Sequence, residues 1–222
     1  MTARRAAASG VRVIAIDGPA ASGKGTLAQR LAAHYGYARL DSGRLYRAAA
    51  RRLIAAGGTG EDAQAAVRAA QAVTAEELAD PELGTDQVAQ MASRIAAYPE
   101  VRAALLDFQR RFASRPPGGA PGAVIDGRDI GTVVCPGAAV KLFVTASLET
   151  RAERRLKELR EKGLDSIKTR VLQDMRERDA RDRSRSEAPL TRAEDAHLLD
   201  TTGMDADEAF AAARAVIDGM CT

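Results

Sequence analysis

The 222 residues are 28% charged, 45% hydrophobic and only 4% aromatic, with a formal net charge of +3. That balance fits one globular domain and excludes a disordered chain. Modest net charge and few rings for base stacking argue against nucleic acid as a partner, and small phosphorylated ligands suit the arginine supply better. No apolar run approaches a membrane span. The basic start, "MTARRAAASG", lacks the apolar core of a secretory signal, so a cytoplasmic protein is expected. Cys135 and Cys221 belong to no metal-binding cluster, which leaves neither a disulfide framework nor a zinc site to expect.

Taken in chain order, "VRVIAIDG" is a short apolar run ending in Asp-Gly, the pattern of a strand buried on both faces. A helix follows in "GTLAQRLAAHYG", where Leu27, Leu31 and Tyr35 recur at four-residue spacing and Gly36 stands at the C-terminal cap. A second strand is predicted in "YARLDSG", then a helix through "RLYRAAARRLIAAGG". From Glu61 to Phe112 the pattern is helical, broken at "DPELG" and at Pro99. "SRPPGGAPG" is a loop by composition. "AVIDG", "VKLFVTA" and "AHLLDTT" are further strands. Strands alternating with helices predict an α/β domain with a central parallel sheet covered by helices on both faces. The expected division is a core of about 11–56 and 121–222, an inserted helical unit at about 57–115 and a short lid at about 156–186.

Gly18-Pro19-Ala20-Ala21-Ser22-Gly23-Lys24 fits the phosphate-binding spacing G-x-x-x-x-G-K, placed between a strand and a helix as that motif requires. Small residues let successive N–H groups converge on phosphate oxygens, the helix presents its positive end, and Lys24 reaches the β- and γ-phosphates. The hydroxyl expected directly after the lysine is displaced: Gly25 stands there, with Thr26 next.

"IDGPAASGKGT" followed by "LDSGRLYR", "IDGRDIGTVV" and "RERDARDRSRSEAPL" resembles the bacterial cytidylate kinases, within the P-loop nucleoside monophosphate kinases, over most of the chain. The resemblance implies a P-loop kinase fold and ATP-dependent phosphorylation of CMP and dCMP, with magnesium. Gly18 to Thr26 would then hold ATP, with a hydroxyl from Thr26 directed to phosphate or metal. One departure concerns the insertion, which in this family carries strands: "AVTAEELADPELGTDQVAQ" is short and helix-like, so the family's small sheet is expected to be missing.

"DSGRLYR" ends the second strand, where parallel sheets place their ligands. Ser42 can bond a phosphate or ribose hydroxyl, and Arg47 offers a planar fork to the acceptor's phosphate, as the resemblance also implies. "DGRD" sets Asp126 at the end of an apolar strand, the position of a magnesium-directed acid in P-loop enzymes. The resemblance implies that Arg128 meets the acceptor phosphate and Asp129 the base. A carboxylate accepts from the exocyclic amino group of cytosine, whereas uracil turns a carbonyl toward it. Ser93 and Arg102 are assigned to the base by resemblance alone. In "SIKTRVLQDMRERDARDRSR", Ile167, Val171 and Met175 form an apolar stripe that Arg178, Asp182 and Arg185 continue, and charges on an inward face call for a ligand or ion partners. By resemblance these three address the acceptor's sugar and phosphates. Arg151, Arg154 and Arg155 lie on a helix leading to the lid; one or two are expected at the ATP phosphates, with Arg155 taken as the contact.

Phosphoryl transfer of this kind needs positioning and cationic stabilisation more than a general base. His34 and His197 lie outside every motif. Lys24, Arg128, Arg178 and Arg185 are the expected catalytic set, and the expected protein is a monomer acting on small molecules. The alternatives are a P-loop kinase for AMP, UMP or a shikimate-like acid, and a non-catalytic nucleotide-binding switch.

Overall fold

The computed structural model describes residues 12–161, 163–164 and 166–220; the basic start and Cys221 lie outside them. Among these residues, β1 (Arg12–Asp17) occupies the middle of a five-stranded sheet, with β2 (Ala38–Asp41), β3 (Gly122–Gly127), β4 (Val140–Thr145) and β5 (His197–Asp200) in the order β2-β3-β1-β4-β5. Every pairing is parallel. All six residues of β3 are buried, which is what an apolar strand covered on both faces requires.

Alternate residues of the strands feed two cores. Ile14, Ile16 and Val124 face α1 (Lys24–Tyr35) and α8 (Ala206–Met220), packing with Leu27, Leu31 and Ile217. Ala15 and Ile125 face the other way, where Leu45 and Leu53 of α2 (Ser42–Ala55) join Ala66 of α3 (Ala63–Gln71), Ile95 of α4 (Asp86–Ile95) and Leu105 of α5 (Pro99–Ser114). Burying each of these large side chains contributes roughly 1.5–3 kcal/mol. Helix α1 ends at Gly36, whose φ of 66° supplies the left-handed cap that the sequence predicts. The helical run breaks at Pro99 as the sequence predicts: α4 ends at Ile95 and Pro99 opens α5.

Between residues 57 and 115 every regular element is helical, with short 3₁₀ turns at Glu76–Ala79 and Pro81–Gly84 separating α3 from α4. These helices pack on α2 and share its core, so the polar "DPELG" stretch is a surface turn on a continuous interior.

The last pair, α6 (Leu148–Glu161) and α7 (Lys168–Ser184), packs through Leu156, Leu159, Val171 and Met175. Ile167 does not belong to that stripe: it is 71% exposed. It is the residue before α7, with extended backbone (φ −92°, ψ 130°), so the helical period does not govern its side chain. A charged interaction completes the pair. Arg151 makes two bonds to the Asp179 carboxylate, at 2.7 and 3.2 Å, and donates also to the carbonyls of Ala146 and Ala20, tying both helices to the glycine-rich loop.

Two stability measurements follow from this packing. Gly18 has φ +150°, and a Cβ there would lie 1.9 Å from the Val144 carbonyl oxygen. Gly18→Ala should lower unfolding free energy in urea by more than about 2 kcal/mol, and an unchanged midpoint would contradict the close approach. Asp179→Ala strands the Arg151 guanidinium in the interior and should lose about 3–5 kcal/mol, whereas a loss below about 1 kcal/mol would mean that the pair is not buried as described.

Candidate active site

Parallel pairing brings the carboxyl ends of β1, β2 and β3 to one edge. The register sets Asp41 opposite Asp126 and Asp17 opposite Gly127, so three carboxylates lie within one register step of each other at the strand ends. The glycine-rich loop leaves β1 at this edge. Gly18 packs against Val144, Ala21 and Gly23 adopt positive φ (57° and 88°), and α1 begins at Lys24. The Lys24 ammonium donates to the Pro19 carbonyl at 3.0 Å, and burial, aided by the charge of Arg128, pushes its pKa down to about 7. Behind the loop, the Thr201 hydroxyl donates to the Ser22 carbonyl and accepts from Arg154 at 3.0 Å.

Two cavities flank the loop. The larger, about 750 Å³, is lined by Ala20, Ala21, Lys24 and Gly25, by Asp41 and Asp126 from the strand ends, and by Arg47, Arg155 and Arg178. The second, about 500 Å³, lies on the other side against Ser22, Gly23, Thr26, Arg154 and Met204. Thr26 and Asp126, both expected at the metal, line different cavities. A helix turns about 100° per residue, so it is Gly25 that faces Asp126: a Cβ there would lie 3.9 Å from the Asp126 carboxylate. Of Arg151, Arg154 and Arg155 on α6, Arg151 is occupied by Asp179 and Arg154 by Thr201. Arg155 reaches the larger cavity, held by Asp86 at 3.2 Å and Glu158 at 3.0 Å.

A narrow pocket of about 50 Å³ adjoins the larger cavity, and Arg47 and Arg178 line both. Ser42, Arg47, Ser93, Arg102, Arg128, Asp129, Arg178, Asp182 and Arg185, all expected at an acceptor, line this one pocket although they come from five segments of the chain. The Ser42 hydroxyl donates to the Asp126 carbonyl at 2.9 Å. Arg102 is ion-paired with Asp129 and lies over the Tyr46 ring at 5.6 Å. Arg181, on the next turn of α7, donates to the Ser93 hydroxyl at 3.3 Å.

The charges in this pocket do not balance. Asp182 pairs with Arg128 at 2.8 Å and with Arg185; burial works to raise its pKa, but Arg128, Arg185 and Arg178 hold it down to about 2. One carboxylate thus serves two arginines, and the Nε atoms of both Arg178 and Arg185 are buried without a hydrogen-bond partner. Arg178 is pushed down to about 9 by burial and by Arg128, a large shift for a guanidinium. Buried cations in excess of their counter-charges mark a place for an anion.

Asp41 and Arg39 escaped the sequence reading. Asp126 is pushed up to about 6 by burial and by the Asp41 charge, with Lys24 and Arg39 opposing, and Arg39 donates to it at 3.4 Å. The signal for Asp41 was available, since it ends a strand just as Asp126 does. Nothing local marks Arg39.

A family model for cytidylate kinase matches residues 14–218. The chain is 62% identical over 205 residues to the cytidylate kinase of Paramagnetospirillum magneticum, covering 92% of this chain and 97% of that one. It is 59% identical over 201 residues to that of Rhodospirillum rubrum, covering 90% and 94%. Among solved structures, an uncharacterised protein from Eubacterium ventriosum superposes with a TM-score of 0.55 at 17% identity, covering 93% of this chain and 98% of that one. A sugar kinase from Janibacter sp. HTCC2649 gives 0.50 at 14%, covering 94% and 95%, and both share the fold alone. The family match over most of the chain and the identities of 59% and 62% show that the chain belongs to the cytidylate kinase family.

Proposed function

We propose that this protein transfers the γ-phosphoryl group of ATP to the phosphate of CMP and dCMP. The observation that carries the reading is the surplus of cations, buried Lys24 and half-buried Arg47, Arg128, Arg178 and Arg185, around a cavity reached from the glycine-rich loop on one side and from the acceptor pocket on the other. Two phosphate-bearing substrates supply the missing negative charge. The loop from Gly18 to Thr26 would hold ATP, its N–H groups and the N-terminus of α1 facing the phosphates. Lys24 would bridge the β- and γ-phosphates. Arg47 and Arg128 would orient the acceptor phosphate, while Arg178, Arg185 and Arg155 stabilise charge on the transferred group. Asp182 would keep two arginines extended toward the acceptor and reach its sugar.

The acceptor's attacking oxygen is already anionic near neutral pH, so positioning suffices and no side chain need abstract a proton. Base recognition falls to Asp129, which can accept from the cytosine amino group, and to Ser93 and Arg102, which can donate to its ring nitrogen and carbonyl. Asp41 and Asp126, two carboxylates at the cavity wall, fit a hard cation such as magnesium that keeps much of its water. Bound there, magnesium would neutralise phosphate charge. On this reading residues of about 57–115 form the acceptor side and about 156–186 the lid, whose closure would exclude water from ATP. No described helix is long and apolar enough to cross a membrane; a cytoplasmic monomer is proposed.

Steady-state rates with ATP, magnesium and a panel of CMP, dCMP, UMP, AMP and shikimate test the reading. CMP and dCMP should exceed UMP in kcat/KM by at least about tenfold, a difference of about 1.4 kcal/mol. Equal turnover of CMP and UMP would remove Asp129 from base recognition, and binding of ATP without turnover of any acceptor would favour the switch. Arg178→Met should lower kcat/KM for CMP about 10²–10³-fold while leaving thermal stability equal or higher, because it removes a buried charge with too few partners. A stable variant with full activity would contradict the role given to Arg178.

A further inference from the structure

Asp17 is the buried carboxylate that no step above uses. It ends β1, is 5% exposed and lines none of the three cavities. Its two oxygens instead accept from the backbone N–H groups of Ile130 and Gly131, each at 2.8 Å. These amides open the single turn at Ile130–Val134 that follows "DGRD", and first-turn amides have no partner within the turn itself. The far end of the turn is closed by its own chain, with Val133 and Val134 donating to the Asp129 carbonyl at 2.9 and 3.1 Å.

The Ile130 N–H belongs to the same rigid peptide unit as the Asp129 carbonyl. Val133 and Val134 hold this unit at its carbonyl, and Asp17 holds it at its N–H, so the grip on the N–H completes the fixing of the plane from which the Asp129 side chain departs, at an irregular backbone conformation (φ −143°, ψ 23°). Arg128 precedes it directly. Close packing leaves little slack, since a Cβ at Gly131 would lie 3.4 Å from the Asp17 carboxylate and 3.1 Å from the Lys141 side chain.

We propose that Asp17 is a positioning residue for the acceptor: by gripping the Ile130 and Gly131 amides it holds Arg128 and Asp129 in the orientation that recognises the monophosphate and its base. The inference rests on the function proposed above. A carboxylate is a costly way to satisfy two amides here. Burial pushes its pKa up to about 6, the two amide bonds pull the other way, and of the charged neighbours Asp129 raises it and Arg128 lowers it. Because the folded-state pKa is raised, ionisation is disfavoured by the fold: stability conferred by the protonated form fades as pH climbs from about 4 through about 6. At neutral pH the carboxylate is thus held at the expense of stability, a pattern expected of a functional group rather than a structural one.

The test is Asp17→Asn, which is isosteric, keeps one acceptor and turns an amide NH₂ against the second N–H. Kinetics with CMP, UMP and ATP, melting temperature at pH 7.5, and hydrogen exchange of the peptide spanning residues 126–136 are measured on both proteins. The expected result is a melting temperature equal to or above wild type, faster exchange in that peptide, KM for CMP raised about tenfold or more, a smaller CMP-to-UMP ratio, and KM for ATP within twofold. Unchanged KM for CMP, or equal loss toward CMP and ATP, would overturn the proposal. Should Asp17→Asn not fold, Asp17→Ser relieves the buried charge and carries the same comparison. A wild-type protein that fails to turn over CMP would instead defeat the functional reading; the exchange comparison still decides whether Asp17 holds the loop.

Discussion

Drawing more positive charge out of water than nearby carboxylates neutralise is the constraint around which the site is organised. Arg128 and Arg185 share one carboxylate, Asp182, while Arg178 and Arg185 each keep a buried Nε unsatisfied. A fold selected for stability alone would have replaced such groups with apolar side chains of similar volume. Retention makes sense where the missing charge arrives with the substrates. Transition-state charge then meets cations that are already oriented and need no reorganisation.

The sheet makes this arrangement possible. Parallel strands send their carboxyl ends to one edge, and the β2–β3–β1 register aligns Asp41, Asp126 and Asp17 there. Two uses of these carboxylates follow from small differences in what each one meets. Asp41 and Asp126 face the cavity beside Lys24, whereas Asp17, one register step away, turns to the backbone of the next loop. Arg47 comes from α2 and Arg178 from α7, joining Lys24 and Arg128 at the strand edge, and the Arg151–Asp179 pair anchors α7 to the glycine-rich loop through Ala20.

Much of the fold was legible because its signals are local. Continuous apolar strands, four-residue spacing in α1, Gly36 and Pro99 each act through their own backbone, and those elements lie where the pattern predicts. The gathering of Ser42, Ser93, Asp129 and Arg185 in one pocket was readable only through resemblance, since no period links residues so far apart. Other matters are decided by neighbours in space or by where a helix starts. Which of Arg151, Arg154 and Arg155 is left for a phosphate depends on Asp179 and Thr201, which hold the first two. Ile167 fits the α7 stripe by arithmetic but precedes the helix. Thr26, which carries the expected hydroxyl, lines a different cavity from Asp126, which no local pattern shows.

The central claim, that the pocket is built for the acceptor's phosphate before it is built for its base, is tested most directly by calorimetric titration of the ligand-free protein with CMP and with cytidine. The account predicts that CMP binds at least about 10²-fold more tightly, about 3 kcal/mol, through charge-assisted bonds to Arg47, Arg128 and Arg178. Equal affinity for the nucleoside and its monophosphate would contradict it.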